Sequence, residues 1–143
     1  MTPQARADQC AATMWAADRA SQGLGMALTH IAPGAATLTM LVRADMINGH
    51  GLCHGGFIFA LADSAFAFAC NSYNQNTVAQ NNQITYVASA QGGEVLTATA
   101  TETERKGRSG IYDVTVTGDM TGTVAHFRGH SRTIPGTLFE EAP

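Results

Sequence analysis

Residues 55–70 read GGFIFALADSAFAFAC, and no other stretch limits the fold as strongly. Phe57, Ile58, Phe59, Leu61, Phe66 and Phe68 surround the run on all sides, and its alanines favour helix over strand. A helix that is apolar around its whole circumference has to be enclosed rather than laid on a surface. Asp63 interrupts it, and an ionised carboxylate in such a place is expensive unless it is paired or hydrogen-bonded. The apolar stretch from Phe57 to Cys70 is shorter than the ~18 residues a membrane span needs, so a buried helix is the expectation.

The flanking sequence supplies the walls. Residues 1 to 20 or so have helical character up to Gly23 and Gly25, with 1–9 expected to be loose. GMALTHI and AATLTMLV are β-prone runs separated by the turn signal Pro33-Gly34. Beyond the polar stretch Asn71–Asn76 come TVAQNNQITYVAS, EVLTATATETE, GIYDVTVTGDM and TVAHFRGHSRTI, all rich in Val, Thr, Ile and Tyr. Gly92-Gly93, Lys106-Gly107 and Gly118–Gly122 break them into hairpins, hence an antiparallel sheet. In EVLTATATETE, Thr97, Thr99, Thr101 and Thr103 share one face. The pattern predicts one domain over 1–143, of α+β class, with five to six antiparallel strands wrapped around one long buried helix. The tail 135–143 is expected to be loose.

Composition removes several functions. A net charge of -3 without a basic stripe argues against nucleic acid as a partner, and a membrane is not expected either. The three cysteines, Cys10, Cys53 and Cys70, form no disulfide framework, and the N-terminus shows no export signal. A cytoplasmic setting is the simplest expectation.

The segment NGHGLCHGG ahead of the helix holds His50, Cys53 and His54. They have the chemistry of zinc ligands. However, the surrounding glycines argue against the helix that would bring His50 and His54 together, and no second cluster completes a metal site. Cys53 lies just before a helix start, where a thiolate is favoured, yet a packed thiol is the commoner state. A third reading starts from Asp63 and Gly55-Gly56. Backbone N–H groups at a helix start lack intrahelical partners, and glycine lets a ligand approach them closely. Together they form a candidate oxyanion site with a nearby acid, unless Gly55-Gly56 simply packs against a strand and Ser64 or a loop satisfies Asp63. Asp63 lies eight residues past Gly55, about 12 Å along the axis. A base and an oxyanion donor serving one carbonyl must each be within roughly 3 Å of their atoms. One helix can hardly supply both, so this reading predicts a two-fold dimer with two shared sites.

Taken together, NGHGLCHGGFIFALADSAFAFACNS and the later FRGHSRTI resemble the hot-dog-fold thioesterases, specifically the PaaI-type enzymes of phenylacetic acid degradation. The resemblance covers roughly residues 10–134 and implies hydrolysis of acyl-CoA thioesters, with phenylacetyl-CoA or ring-hydroxylated relatives as substrates. It implies catalytic roles for Asp63 as the acid, Gly55 as the carbonyl-polarising N–H, Asn48 as a supporting amide and His54 as the residue orienting the loop. Whether Asp63 is a general base or a nucleophile stays open. Gly56, Phe57, Ser64 and Asn81 are candidate substrate-lining residues; Phe57 and Phe66 are equally at home in a core. Arg105, Lys106, Arg108, Ser109, Gly110 and Arg128 are candidates for the CoA phosphates, although a solvated charged turn explains 105–108 as well. No metal and no cofactor is expected, CoA being part of the substrate. Sites at a dimer interface, and a dimer of dimers, are implied. The chain departs from the pattern in lacking Arg-Pro after the strand that follows the helix, where it reads TYVASAQGG. It also lacks the Ser or Thr that positions water in some relatives, offering Gln80, Asn81 and Asn82 instead. The competing functions are a hot-dog enoyl-CoA hydratase or dehydratase using His54 and Asp63, and a non-catalytic acyl-CoA-binding module.

Overall fold

The computed structural model describes residues 1–143. Its central element is the expected helix, α3 (Gly55–Cys70), preceded by α1 (Pro3–Ala17), α2 (Arg19–Gly23), β1 (Ala27–Ala32) and β2 (Ala35–Leu41). It is followed by β3 (Thr77–Tyr86), β4 (Val95–Lys106), β5 (Ser109–Gly118) and β6 (Gly122–Thr133). All pairings are antiparallel, in the order β1-β2-β4-β5-β6-β3, so the α+β expectation of one sheet around one long helix is met with six strands. None of the helices is long and apolar enough to cross a membrane.

Alternation along the strands decides which face meets the helix. Leu96, Ala98 and Ala100 are buried, while Thr99, Thr101 and Thr103 on the other face of β4 are exposed. On α3, Leu61, Ala62, Ala65 and Ala69 are completely buried. Small residues on both partners let helix and sheet approach closely. Phe66 is locked between Tyr112 and Phe127, with ring centroids at 5.7 and 5.9 Å. Its ring lies against Gly129 of β6, where a Cβ would fall 2.8 Å from the ring atoms. Phe66 therefore belongs to the core and lines no site.

One charged side chain is wholly inside. Glu94, just before β4, accepts hydrogen bonds from the Gln91, Met120 and Thr121 N–H groups and from Thr121 Oγ1 at 2.6–3.2 Å. It ties the start of β4 to the β5–β6 turn, and Gly118 leaves room for its carboxylate. Burial pushes the Glu94 carboxyl up, but these donors outweigh burial and hold it below the ordinary glutamate value.

The structure corrects two expectations about the ends of the chain. The N-terminal helical stretch is divided, because the Asp18 carboxylate accepts from Ser21 N–H at 2.9 Å and so starts α2. Residues 3–9 are helical, and 136–141 are tied to the body of the fold. Thr2 caps α1, and Ala7 is completely buried. Asn74, at φ 56°, accepts from the Leu138 and Phe139 N–H groups and donates to the Phe139 carbonyl, and Glu141 meets Arg6 at 2.9 Å. These partners are far apart in sequence, so local patterning gives no sign of them.

Gly129→Ala should lower stability by about 1–3 kcal/mol in urea unfolding, because the added methyl overpacks against Phe66. Glu94 should contribute to acid lability. Its folded-state value lies below the ordinary 4.5, so its stabilisation is present above that pH and is lost as pH falls through the depressed value. The stability gap between wild type and Glu94→Gln should be widest near pH 7 and should narrow as pH falls below 4.5 and through the depressed value.

Candidate active site

The loop before α3 is built by its own side chains. Ile47 and Cys53 form an isolated β-bridge, and the His54 N–H reaches the Met46 carbonyl at 2.7 Å. Between them, Asn48 Oδ1 accepts from the His50 and Leu52 N–H groups at 2.9 and 3.2 Å, and Gly51 adopts φ 78° to close the turn. The Asn48 oxygen thus shapes the loop, and its side-chain NH2 stays free for another partner.

His54 is the N-cap of α3. Its Nδ1 accepts from the Gly56 N–H at 2.9 Å, and its carbonyl accepts from the Phe57 N–H at 3.0 Å. An accepting Nδ1 places the neutral ring's proton on Nε2. His54 is exposed, and its ring sits edge-on to the half-buried Phe57, 6.0 Å between centroids. With Gly56 and Phe57 satisfied, Gly55 keeps a free N–H at the positive end of the helix. The Gly55 carbonyl accepts from Tyr86 Oη of β3 at 2.8 Å, and a Cβ on Gly55 would lie 3.0 Å from that ring. Close strand packing and a free N–H therefore coexist at the same glycine.

Asp63 emerges from α3 toward β3 and is half-buried. Its Oδ1 accepts from Asn82 Nδ2 at 2.9 Å. Burial pushes the Asp63 carboxyl up, the Asn82 hydrogen bond pulls it back in part, and the net shift is upward. Ser64 does not help it: Ser64 Oγ pairs with Ser21 Oγ at 2.8 Å, which in turn donates to Asp18. A helical neighbour points about 100° away, so Ser64 fastens α2 to α3 and lines no substrate site. Asn81 is exposed on the outer face of β3, whereas Asn82 faces inward. Period-two alternation carries that information: the half-buried Ile84 lies two residues beyond Asn82 on the same face.

The basic candidates divide. Arg105, Gly107 and Arg108 line an open cleft of about 570 Å3 together with Tyr73, Asn74 and Gln75. The Arg105 guanidinium stacks on the Tyr73 ring at 3.6 Å, and Arg108 Nη2 donates to the Thr133 carbonyl at 3.2 Å. Lys106 and Ser109 are exposed at the same β4–β5 turn. Gly110 is buried, with Ser131 Oγ and the Tyr112 ring each within 2.8 Å of where its Cβ would sit, so it serves packing there. Arg128 is elsewhere. It lies on the outer sheet face, bound through two nitrogens to Asp113 at 2.8 and 2.9 Å, and that pairing takes up its charge.

The other readings of the loop find little geometry. His50 is exposed and Cys53 buried, and burial raises the Cys53 thiol, disfavouring the thiolate. No group of three or more His, Cys, Asp or Glu side chains stands together as a metal cage.

Known proteins share this chain's fold and much of its sequence. Residues 50–125 match the model of the Thioesterase superfamily. The chain is 41% identical over 137 residues to the acyl-coenzyme A thioesterase PaaI of Escherichia coli (strain K12), covering 96% of this chain and 98% of that one. The solved structure of the E. coli PaaI protein from the phenylacetic acid degradation operon superposes with TM-score 0.92 at 40% identity, over 95% of this chain and 99% of that one. A mutant form of the phenylacetic acid degradation protein PaaI from Thermus thermophilus gives TM-score 0.79 at 37% identity, over 82% of this chain and 100% of that one. The expected hot-dog fold is the one these structures share, and the chain belongs to the thioesterase superfamily.

Proposed function

We propose that this hydrolase cleaves acyl-CoA thioesters, with arylacetyl-CoA esters of the phenylacetyl type as substrates, releasing the free acid and CoA as a step of phenylacetate breakdown. The observation that carries the mechanism is the pair formed by the free Gly55 N–H and the Asp63 carboxylate, whose affinity for protons burial has raised. The N–H faces the oxygen on which charge develops, and the carboxylate acts on the carbonyl carbon through water. The similarity to a named acyl-coenzyme A thioesterase over nearly its whole length supports the substrate class.

Two copies are needed. Gly55 and Asp63 are about 12 Å apart on one helix. The basic cleft and Gly55 are further apart still. Tyr86, which touches Gly55, ends β3, whereas Thr77 at its start pairs with Thr133 beside Arg108. The ten residues of β3 span about 30 Å. β3 is also an edge strand with an unpaired side. A second copy laid antiparallel along it, centred near Ile84, sets Asn82 of the partner subunit opposite Tyr86. It thereby brings Asp63 of the partner subunit toward the carbonyl at the Gly55 N–H, and sets the cleft of Arg105 and Arg108 of the partner subunit about 16 Å further along the edge, for the CoA phosphates. Lys106 and Ser109 flank the phosphate route, and Phe57 and Gly56 border the acyl end. The Asn48 NH2 supports the carbonyl oxygen. The assembly is a homodimer with shared sites, paired again into a tetramer. Its three unpaired cysteines suit a reducing cytoplasm.

Free-thiol release from a panel of arylacetyl-, benzoyl- and fatty-acyl-CoA esters tests this. Asp63→Asn should lose at least about 100-fold in kcat with fold and oligomer intact. Equal turnover in both proteins would remove Asp63 as the catalyst. Proline is tolerated at the first helical position, so Gly55→Pro should delete the N–H while keeping α3, at a loss of about 100- to 1,000-fold. Gly55→Ala serves as its steric control. Mixing the two inactive proteins is the sharper experiment. A heterodimer of Asp63→Asn and Gly55→Pro subunits holds one intact shared site, so refolded mixtures should recover roughly a quarter of wild-type activity. No recovery would place both groups in one subunit's own site. Wild-type kcat/KM should fall on the acid side through a value above that of an ordinary aspartate, because burial raises Asp63.

A further inference from the structure

Asn74 is a buried polar residue in the turn that follows α3, with its backbone at φ 56°. Such a side chain is costly inside unless its hydrogen bonds are made. Here they all go to the C-terminal segment. Asn74 Oδ1 accepts from the Leu138 and Phe139 N–H groups at 3.0 and 3.2 Å, and its Nδ2 donates to the Phe139 carbonyl at 3.0 Å and to Glu141 at 3.4 Å. The neighbours of Asn74 continue the seam. Gln75 Nε2 donates to the Ile134 and Gly136 carbonyls at 2.6 and 3.2 Å. The Asn76 N–H reaches the Gly136 carbonyl at 3.0 Å, and the Ile134 N–H reaches the Asn76 carbonyl at 2.8 Å. Arg6 of α1 holds the far end through Glu141. Residues 134–141 thus form a strap fastened to the 74–76 turn. The same two segments wall the open cleft of about 570 Å3: Tyr73, Asn74 and Gln75 from the turn, Ile134 and Pro135 from the strap.

The remaining wall is the β4–β5 turn. Its Arg105 guanidinium lies over the Tyr73 ring at 3.6 Å, and the Tyr73 hydroxyl donates to Glu102 at 2.9 Å. A guanidinium stacked in this way leaves its other face for a flat base. Arg108 gives one donor to the Thr133 carbonyl at 3.2 Å and keeps the others for phosphate. Residues 71–76 and 134–143 carry no helix or strand, so the seam between them, and not the sheet, sets where these two walls stand. We propose that Asn74 is a positioning residue for the nucleotide end of the substrate. By holding the strap it fixes the cleft that grips the phosphoadenosine of a CoA ester, while its own side chain touches only the strap. The inference rests on the acyl-CoA reading and on this cleft as the site of the CoA phosphates. A preformed cleft removes the entropic penalty of ordering its walls around the ligand. The thioester itself lies far along the β3 edge, at the Gly55 N–H, so the strap governs how the CoA handle is bound and leaves the bond-making groups alone. A thioester on bare pantetheine, which has no nucleotide, gains nothing from it.

The test compares wild type with Asn74→Gly, since glycine keeps the φ 56° backbone unstrained and removes the amide. Titration calorimetry should show CoA bound about 5-fold or more weakly, and KM for arylacetyl-CoA should rise by a similar factor with kcat unchanged. Kinetics with arylacetyl-pantetheine should not move, which a general loosening of the fold would not allow. Equal losses on the two substrates would overturn the inference, and so would wild-type CoA binding in the folded variant. Glu141→Ala releases the far end of the strap and decides the matter if Asn74→Gly does not fold. It should weaken CoA about 2-fold, again without effect on the pantetheine ester, and wild-type CoA binding there would remove the strap's role. Arg105→Ala and Arg108→Ala separate the two levels of reading. If neither weakens CoA, the cleft is not the nucleotide site and the inference falls with that reading. If they weaken CoA while Asn74→Gly does not, only the role of Asn74 falls.

Discussion

The enclosure of α3 is the constraint on which the rest depends. A helix with apolar side chains on every side is stable only if something surrounds it, and a single sheet does so only by curling. The alanines at 62, 65 and 69 bring the helix close to the small inner residues of β4, and Gly129 gives the Phe66 ring a flat bed. The chain sends β3 to the far edge of the sheet, beside its last strand, so the helix is flanked on both sides by what precedes and follows it. At that edge the covering layer is polar enough to receive a carboxylate, and Asp63 points there. The helix is thus both the core and the platform for the proposed chemistry, and its burial shifts the carboxyl upward.

The helix start is organised with equal economy. Helices ordinarily leave several N–H groups to solvent at this end. Here the His54 ring takes one and its carbonyl another, so the donor that stays free is the one on the glycine pressed against Tyr86. The Tyr86 hydroxyl fastens the Gly55 carbonyl and the His54 ring the Gly56 N–H, so the Gly55–Gly56 peptide is held at both ends, while the His54–Gly55 peptide that carries the free N–H is held through the His54 carbonyl. The donor is oriented before any substrate arrives, which is what electrostatic stabilisation of a developing charge requires.

Much of this is legible from the residues. The apolar circumference of 55–70, the Thr alternation of β4 and the glycine breaks are strong local signals, and each corresponds to an element of the structure. The Gly55–Asp63 spacing by itself leads to the proposal of a dimer. Sequence reading fails where partners lie far apart or where two residues compete for one role. Ser64 is next to Asp63 but turned to Ser21, and Arg128 is basic but already held by Asp113. Asn81 stands out ahead of Asn82 in the sequence because a bulge between Ala79 and Asn81 hides the period of β3, and because two polar residues in a row do not say which is inside. The tails look loose because Asn74 and Arg6, which hold the C-terminal segment, are separated from it by much of the chain.

The buried Glu94 and the half-buried Asp63 have been moved in opposite directions, Glu94 downward by its donors and Asp63 upward by desolvation. They belong to different ends of β4's surroundings and share no hydrogen-bond partner. Acid tolerance of the fold and the working range of the proposed site are therefore separate traits. Substitutions around β3 can retune the second without touching the first, so a lineage carrying this scaffold is free to follow its habitat's acidity with the chemistry alone.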